Sequence, residues 1–131
     1  MINLQELRFG NRILQKSGTR INTVQFGMQH IELLLKGEGG SLHPVVLKPE
    51  MLERCGFTEN KQYPLLPEAR EFTLILPVQG NHQNLLHVYN KSNGECFGRA
   101  SVNGLVASNN FFYLHQLQNI YYALTSKELD V

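Results

Sequence analysis

The spacing of hydrophobic positions changes along this chain, and each change marks an element. Arg12 to Gln15, after Gly10-Asn11, is a short apolar-centred run that predicts a strand, and Lys16-Ser17-Gly18 supplies turn chemistry behind it. Thr19 to Phe26 has a β-rich composition with a slip in parity. Ile21 points one way while Val24 and Phe26 point the other, as an inserted bulge residue would produce. Met28 to Lys36 then alternates, with Ile31, Leu33 and Leu35 on one face and His30, Glu32 and Lys36 on the other, which predicts another strand. Gly27 is expected in a tight turn or bulge between these two runs. The first half therefore reads as an antiparallel meander with one wet face, strongly curved or barrel-like.

Pro49 to Cys55 is punctuated as a short central helix. Proline suits the first helical position, Glu50 suits the positive end of the dipole, and Gly56 supplies a left-handed stop, after which Phe57 can fold back on Met51 or Leu52. About two turns of helix are stable only when docked, and Met51, Leu52 and Cys55 are the docking residues.

Strands return in the second half. Phe72, Leu74, Leu76 and Val78 share one face with Ile75 on the other, and Pro77 makes the run an edge strand or marks its end. Leu85 to Tyr89, Cys96 to Val102 and Leu105 to Ala107 follow, separated by Asn90-Lys91-Ser92-Asn93-Gly94 and Asn103-Gly104, both hairpin turn sequences. Leu114, Leu117, Tyr121 and Leu124, with Ile120, form one apolar stripe of a C-terminal amphipathic helix. Phe111-Phe112-Tyr113 either opens that helix, capped by Asn109 or Asn110, or ends a last strand; three consecutive aromatics favour the strand. The expected fold is α+β: a curved, mainly antiparallel sheet with a short central helix and a C-terminal helix over the core.

Composition narrows the picture. The chain of 131 residues suits a single domain, 1–131, with a core that buries about two-thirds of the unfolded surface. A net charge of +1 excludes the polybasic and polyacidic classes. The apolar runs fall far below the ~20 residues that cross a bilayer, so no membrane association is expected. Two cysteines and no charged start leading into an apolar stretch point to a reducing cytoplasm. Asn (12) and Gln (9) are overrepresented, and most of the asparagines fall at turns.

Few residues carry recognisable chemistry. No histidine pair has helical zinc spacing, no glycine run fits a phosphate cradle, and no Gly-x-Ser-x-Gly occurs. His82 and His87 would lie on opposite faces of a continuous strand. Glu68 and Glu71, flanking Arg70 beside Pro67, read as a solvated turn. Cys55 and Cys96 read as core residues; Cys96 as a nucleophile would need His87 or His115 as its base. Arg8, Arg12, Lys16 and Arg20 recur every four positions against one acid, Glu6, and form a candidate phosphate or nucleic-acid patch, with Phe111, Phe112 and Tyr113 as stacking aromatics. On the last helix, His115, Gln116 and Asn119 are the candidate partner-binding group; His115 and Gln116 can instead bond nearby backbone.

Three segments carry a family resemblance: Leu7-Arg8-Phe9-Gly10-Asn11, residues 47–57 (LKPEMLERCGF) and residues 115–125 (HQLQNIYYALT). In this order they resemble a family of small uncharacterised proteins of gut anaerobic bacteria and their phages or mobile elements. Ser126 stands where the family usually has glycine, and Arg12 where it often has an apolar or aromatic residue. The resemblance implies a phage or mobile-element setting and brings no activity, cofactor or site residue. The expectation is a non-enzymatic binding module without cofactor or metal, meeting a protein partner. Nucleic-acid binding is the alternative, a small enzyme centred on Cys96 is a third class, and strand edges beside the Asn/Gly turns offer pairing for a homodimer.

Overall fold

The structure is a computed structural model and describes residues 2–61, 69–77 and 80–131. Its strands form two antiparallel sheets, neither closed into a barrel. The first has the order β2-β1-β3, from β1 (Arg12–Ser17), β2 (Arg20–Gln25) and β3 (Leu42–His43). The second has the order β4-β5-β6-β7-β8, from β4 (Thr58–Asn60), β5 (Ala69–Ile75), β6 (Asn84–Lys91), β7 (Cys96–Val102) and β8 (Leu105–Val106). Among the described residues three α-helices accompany them: α1 (Met28–Leu35), α2 (Pro49–Arg54) and α3 (Leu114–Thr125). The expected α+β architecture is present as an open pair of sheets. Among the described residues no helix is long and apolar enough to cross a membrane.

The hairpin of β1 and β2 keeps one uninterrupted register from Arg12↔Gln25 to Ser17↔Arg20, so the expected bulge is absent. The parity slip has another cause. Ile21 sits near the hairpin tip and is exposed, so it never had to match the buried face. The two faces of β1 serve two separate clusters: Ile13 joins Ile2, Phe26 and Leu42, while Leu14 packs on the larger core of the second sheet and α3.

The segment 28–36 is a helix, not a strand. Its alternating Ile31, Leu33 and Leu35 fit a period of two, but Ile31 and Leu34 pack inward one helical turn apart, and Leu35 points to solvent. His30 is buried, stacks on Phe26 with ring centroids 5.7 Å apart, and accepts the Gly27 N–H through Nδ1 at 2.9 Å. Gly27 therefore begins α1 rather than forming a turn or bulge between strands. The end of α1 carries the same stop as α2. Gly37 and Gly56 both have positive φ; each donates to the carbonyl three back (Leu34, Glu53), and the next residue, Glu38 or Phe57, donates to the carbonyl five back (Leu33, Leu52). Phe57 and Leu52 are then buried together, with Cys55 beside them in the main core.

In the second sheet the register makes even-numbered positions of β5, β6 and β7 face the core and odd-numbered positions face away. Phe72, Leu86, Val88, Cys96 and Ala100 fill the inner face. β5 ends at Ile75, two residues before Pro77, as the proline demands. Val78 and Glu68 lie outside the described residues; Glu71 is buried on β5 rather than in a solvated turn. Phe111 to Tyr113 is extended, with Phe111 bridging Gly98 and Tyr113 bridging Val46, and α3 begins only at Leu114. Phe111 lies so close over Gly98 that a Cβ there would meet its ring at 2.3 Å and the His87 carbonyl oxygen at 2.9 Å.

Two stability predictions follow from the backbone. Gly98→Ala is expected to destabilise the fold by about 3 kcal/mol in urea unfolding, because a packed core cannot yield to overfilling. Ser126 caps α3 in the left-handed region, φ 58°, where a side chain is strained. Ser126→Gly is expected to stabilise by about 0.5–1 kcal/mol, a rise of about 2–4 °C in Tm by calorimetry.

Candidate functional site

Amides on α3 would be costly to cover unless every polar group met a partner. Those partners come from the N-terminal segment. Glu6 Oε2 accepts from His115 Nε2 at 3.1 Å and from Gln116 Nε2 at 3.0 Å. Asn119 Nδ2 donates to the Glu6 carbonyl at 2.6 Å, while its Oδ1 accepts from Asn11 Nδ2 at 2.9 Å and Arg8 Nε at 3.2 Å. Gln118 Oε1 accepts the Arg12 N–H at 2.8 Å, and Gln116 Oε1 accepts the Phe112 and Tyr113 N–H groups. His115, Gln116 and Asn119 are thus brought together along a seam with the N-terminal segment, and Gln116 and Asn119 also line an open recess of about 460 Å³ beside Glu6. His115 and Gln118 are buried, and Gln116 and Asn119 are half-buried.

The same seam divides the basic residues. Arg8 binds Glu128 through both guanidinium nitrogens and lies over the Tyr122 ring at 4.4 Å; that pairing holds the Glu128 carboxyl below its usual range. Arg12 and Lys16 share a face of β1, whereas Arg20, paired with Ser17, lies on the other face of the hairpin. The four do not form one patch. The aromatics are divided too: Phe111 is core and Phe112 is exposed.

By bonding the Arg12 backbone, α3 sets that side chain beside a cavity of about 260 Å³. Arg12 and Thr23 line it from the first sheet, Met51 and Arg54 from α2, and Val45 and Leu114 from the main core. An adjoining cavity shares Arg12 and is lined by Glu128 and Asp130. Among the described residues neither Arg12 nor Arg54 takes part in an ion pair, and Glu128 is already engaged by Arg8. Arg12 is half-buried and Arg54 exposed, and their planar N–H forks match carboxylate and phosphate oxygens. Arg12 belongs to the basic series noted in the sequence. Arg54 was missed, because in a two-turn helix it reads only as a favourable charge at the C-terminal end.

Both thiols are free and buried. Burial pushes Cys96 up to about 11, and it also raises Cys55. Cys96 is on the core face of its sheet, opposite to His87, and His115 is turned to Glu6, so the histidine base that Cys96 would need is not placed beside it. His82 precedes β6, with Nδ1 3.1 Å from Asn103 Nδ2. Among the described residues no three His, Cys, Asp or Glu side chains converge as metal ligands. Comparison with family models, with curated proteins and with solved structures gives no match.

His115 provides a pH test of the seam. Burial lowers its pKa from 6.5, and the Glu6 hydrogen bond opposes the shift only in part; burial lowers His30 as well. The unfolded chain therefore binds more protons than the folded one, so stability is full above about pH 6.5 and falls as pH drops toward the lower folded values. His115→Gln, which keeps a donor toward Glu6, is expected to flatten this loss by up to about 1.4 kcal/mol per pH unit, measured by urea unfolding between pH 7.5 and 5.

Proposed function

We propose that the protein is a binding module that takes a small anionic ligand, a carboxylate or phosphate ester with a short apolar part, in the cavity beside Arg12 and Arg54. The observation that carries this reading is a pair of guanidiniums that make no ion pair among the described residues, over an apolar floor of Val45, Met51 and Leu114. Their charge supplies the attraction, and the apolar floor supplies a place for the rest of the ligand. A cavity of about 260 Å³ favours a small molecule over a nucleotide. The setting proposed with it is cytoplasmic, which two free, buried thiols suit, in the phage or mobile-element context that the shared motifs imply.

The test is a titration followed by amide NMR with phosphate, phenyl phosphate and butyrate. Saturable shifts are expected at Arg12, Thr23, Met51 and Leu114, and a folded Arg12→Gln or Arg54→Gln variant is expected to lose about tenfold in affinity, since each charged hydrogen bond contributes about 1.5–3 kcal/mol. Shifts that never saturate, or equal affinity in both variants, would remove the cavity as a ligand site. Oligonucleotides are the control. A surface spread over Arg8, Arg12, Lys16 and Arg20 would give steeply salt-dependent affinity, which the cavity reading does not expect.

A further inference from the structure

The outward face of the five-stranded sheet carries a second, independent constellation. Three side chains stand there on adjacent strands: Glu71 on β5, His87 on β6 and Ser101 on β7. His87 Nε2 is 3.0 Å from Ser101 Oγ, and His87 Nδ1 is 3.6 Å from Glu71 Oε1. Glu71 and Ser101 are buried, while the His87 ring is partly open. The order of contacts, hydroxyl to imidazole to carboxylate, is that of an activated serine, and the two buried ends fix the ring between them. With the Glu71 carboxylate nearest Nδ1, the favoured tautomer carries its proton on Nδ1 and leaves Nε2 free to accept from Ser101. The 3.6 Å separation is longer than a hydrogen bond, as such contacts often are before substrate is bound.

We propose that Ser101 is the nucleophile of an acyl-transfer site that hydrolyses small esters of short apolar acids. Ser101 Oγ adds to the ester carbonyl carbon as its proton passes to His87 Nε2. The bond from that carbon to the leaving oxygen breaks, and His87 returns the proton to the alcohol, leaving an acyl group on Ser101. Water then adds to the acyl carbon, giving its proton to the same nitrogen, and the acid leaves as Ser101 regains its hydrogen. Glu71 is a positioning residue: its carboxylate faces Nδ1 and orients the imidazole. Arg99, paired with His87 across the sheet, holds its guanidinium over the Tyr89 ring, 5.4 Å from its centroid and on the far side of His87 from Ser101.

The substrate class is read from the row that holds the nucleophile. Ile75, Leu85, Ser101 and Val106 are directly paired across four strands, and Ile75 and Val106 are exposed. The serine is thus the polar member of an apolar row along which a short acyl chain can lie. Its slight exposure restricts the ester to a slim one.

The experiment is incubation of the full chain with a fluorophosphonate, read by intact mass and peptide mapping, beside hydrolysis of p-nitrophenyl butyrate. One adduct is expected, mapped to Ser101 and absent from Ser101→Ala, with ester hydrolysis at least 100-fold slower in His87→Gln. Glu71→Gln, which keeps an oxygen to face Nδ1, is expected to label Ser101 at least about tenfold faster than a folded Glu71→Ala variant; equal rates in the two variants would remove the positioning role. An unlabelled protein, an adduct on another residue, or unchanged hydrolysis in a folded Ser101→Ala variant overturns the proposal. Adduct mapping on the native chain decides the question even if a variant fails to fold.

Discussion

The polar face of α3 has to be satisfied where it is covered, and most of the remaining geometry depends on how that is done. Leu114 and Leu117 commit one side of the helix to the main core. Its other side then faces the N-terminal segment, where an amide covered without a bond would cost about 1–3 kcal/mol. Glu6, Arg8, Asn11 and the Arg12 backbone meet those amides one by one. The register of β1 is set as a result, and with it the division of Ile13 and Leu14 between two clusters and the position of Arg12 at its cavity.

Local signals were legible in the sequence where the partner lies a few residues away. The proline start and glycine stop of α2, the Asn/Gly turns between β6, β7 and β8, and the apolar stripe of α3 all express short-range chemistry, and each element is present. The segment of α1 was misread because eight residues with Ile31, Leu33 and Leu35 satisfy a period of two as well as a helix does. Gly37 carried the missing signal. It ends α1 with the same pair of backbone hydrogen bonds that Gly56 makes after α2, yet beside Gly39 and Gly40 it reads as loop.

The candidate sites were less legible, for a physical reason. A sequence shows that Gln116 and Asn119 are amides and that Arg8 is basic, but not that they consume one another across more than 100 residues. Arg54 and Arg12 line one cavity from separate elements, α2 and β1, which no spacing rule encodes. Glu71, His87 and Ser101 are spread over three strands, and only the pairing of those strands makes them neighbours. The two faces of the five-stranded sheet accordingly differ in kind: one is closed by Phe111 and α3, and the other holds its polar groups in register with exposed aliphatic ones.

The seam also has a consequence in time. Glu6 and Gln116 are 110 positions apart, so during translation the first strand is made long before its amide partners exist. At about 5–20 residues per second, that interval is on the order of 5–20 s. Ile2, Ile13 and Phe26, which form their own small cluster with Leu42 of β3, must wait through it without the amides of α3. A nascent chain of this kind closes only once α3 has left the ribosome, which makes the N-terminal third the stretch most in need of shelter from a chaperone.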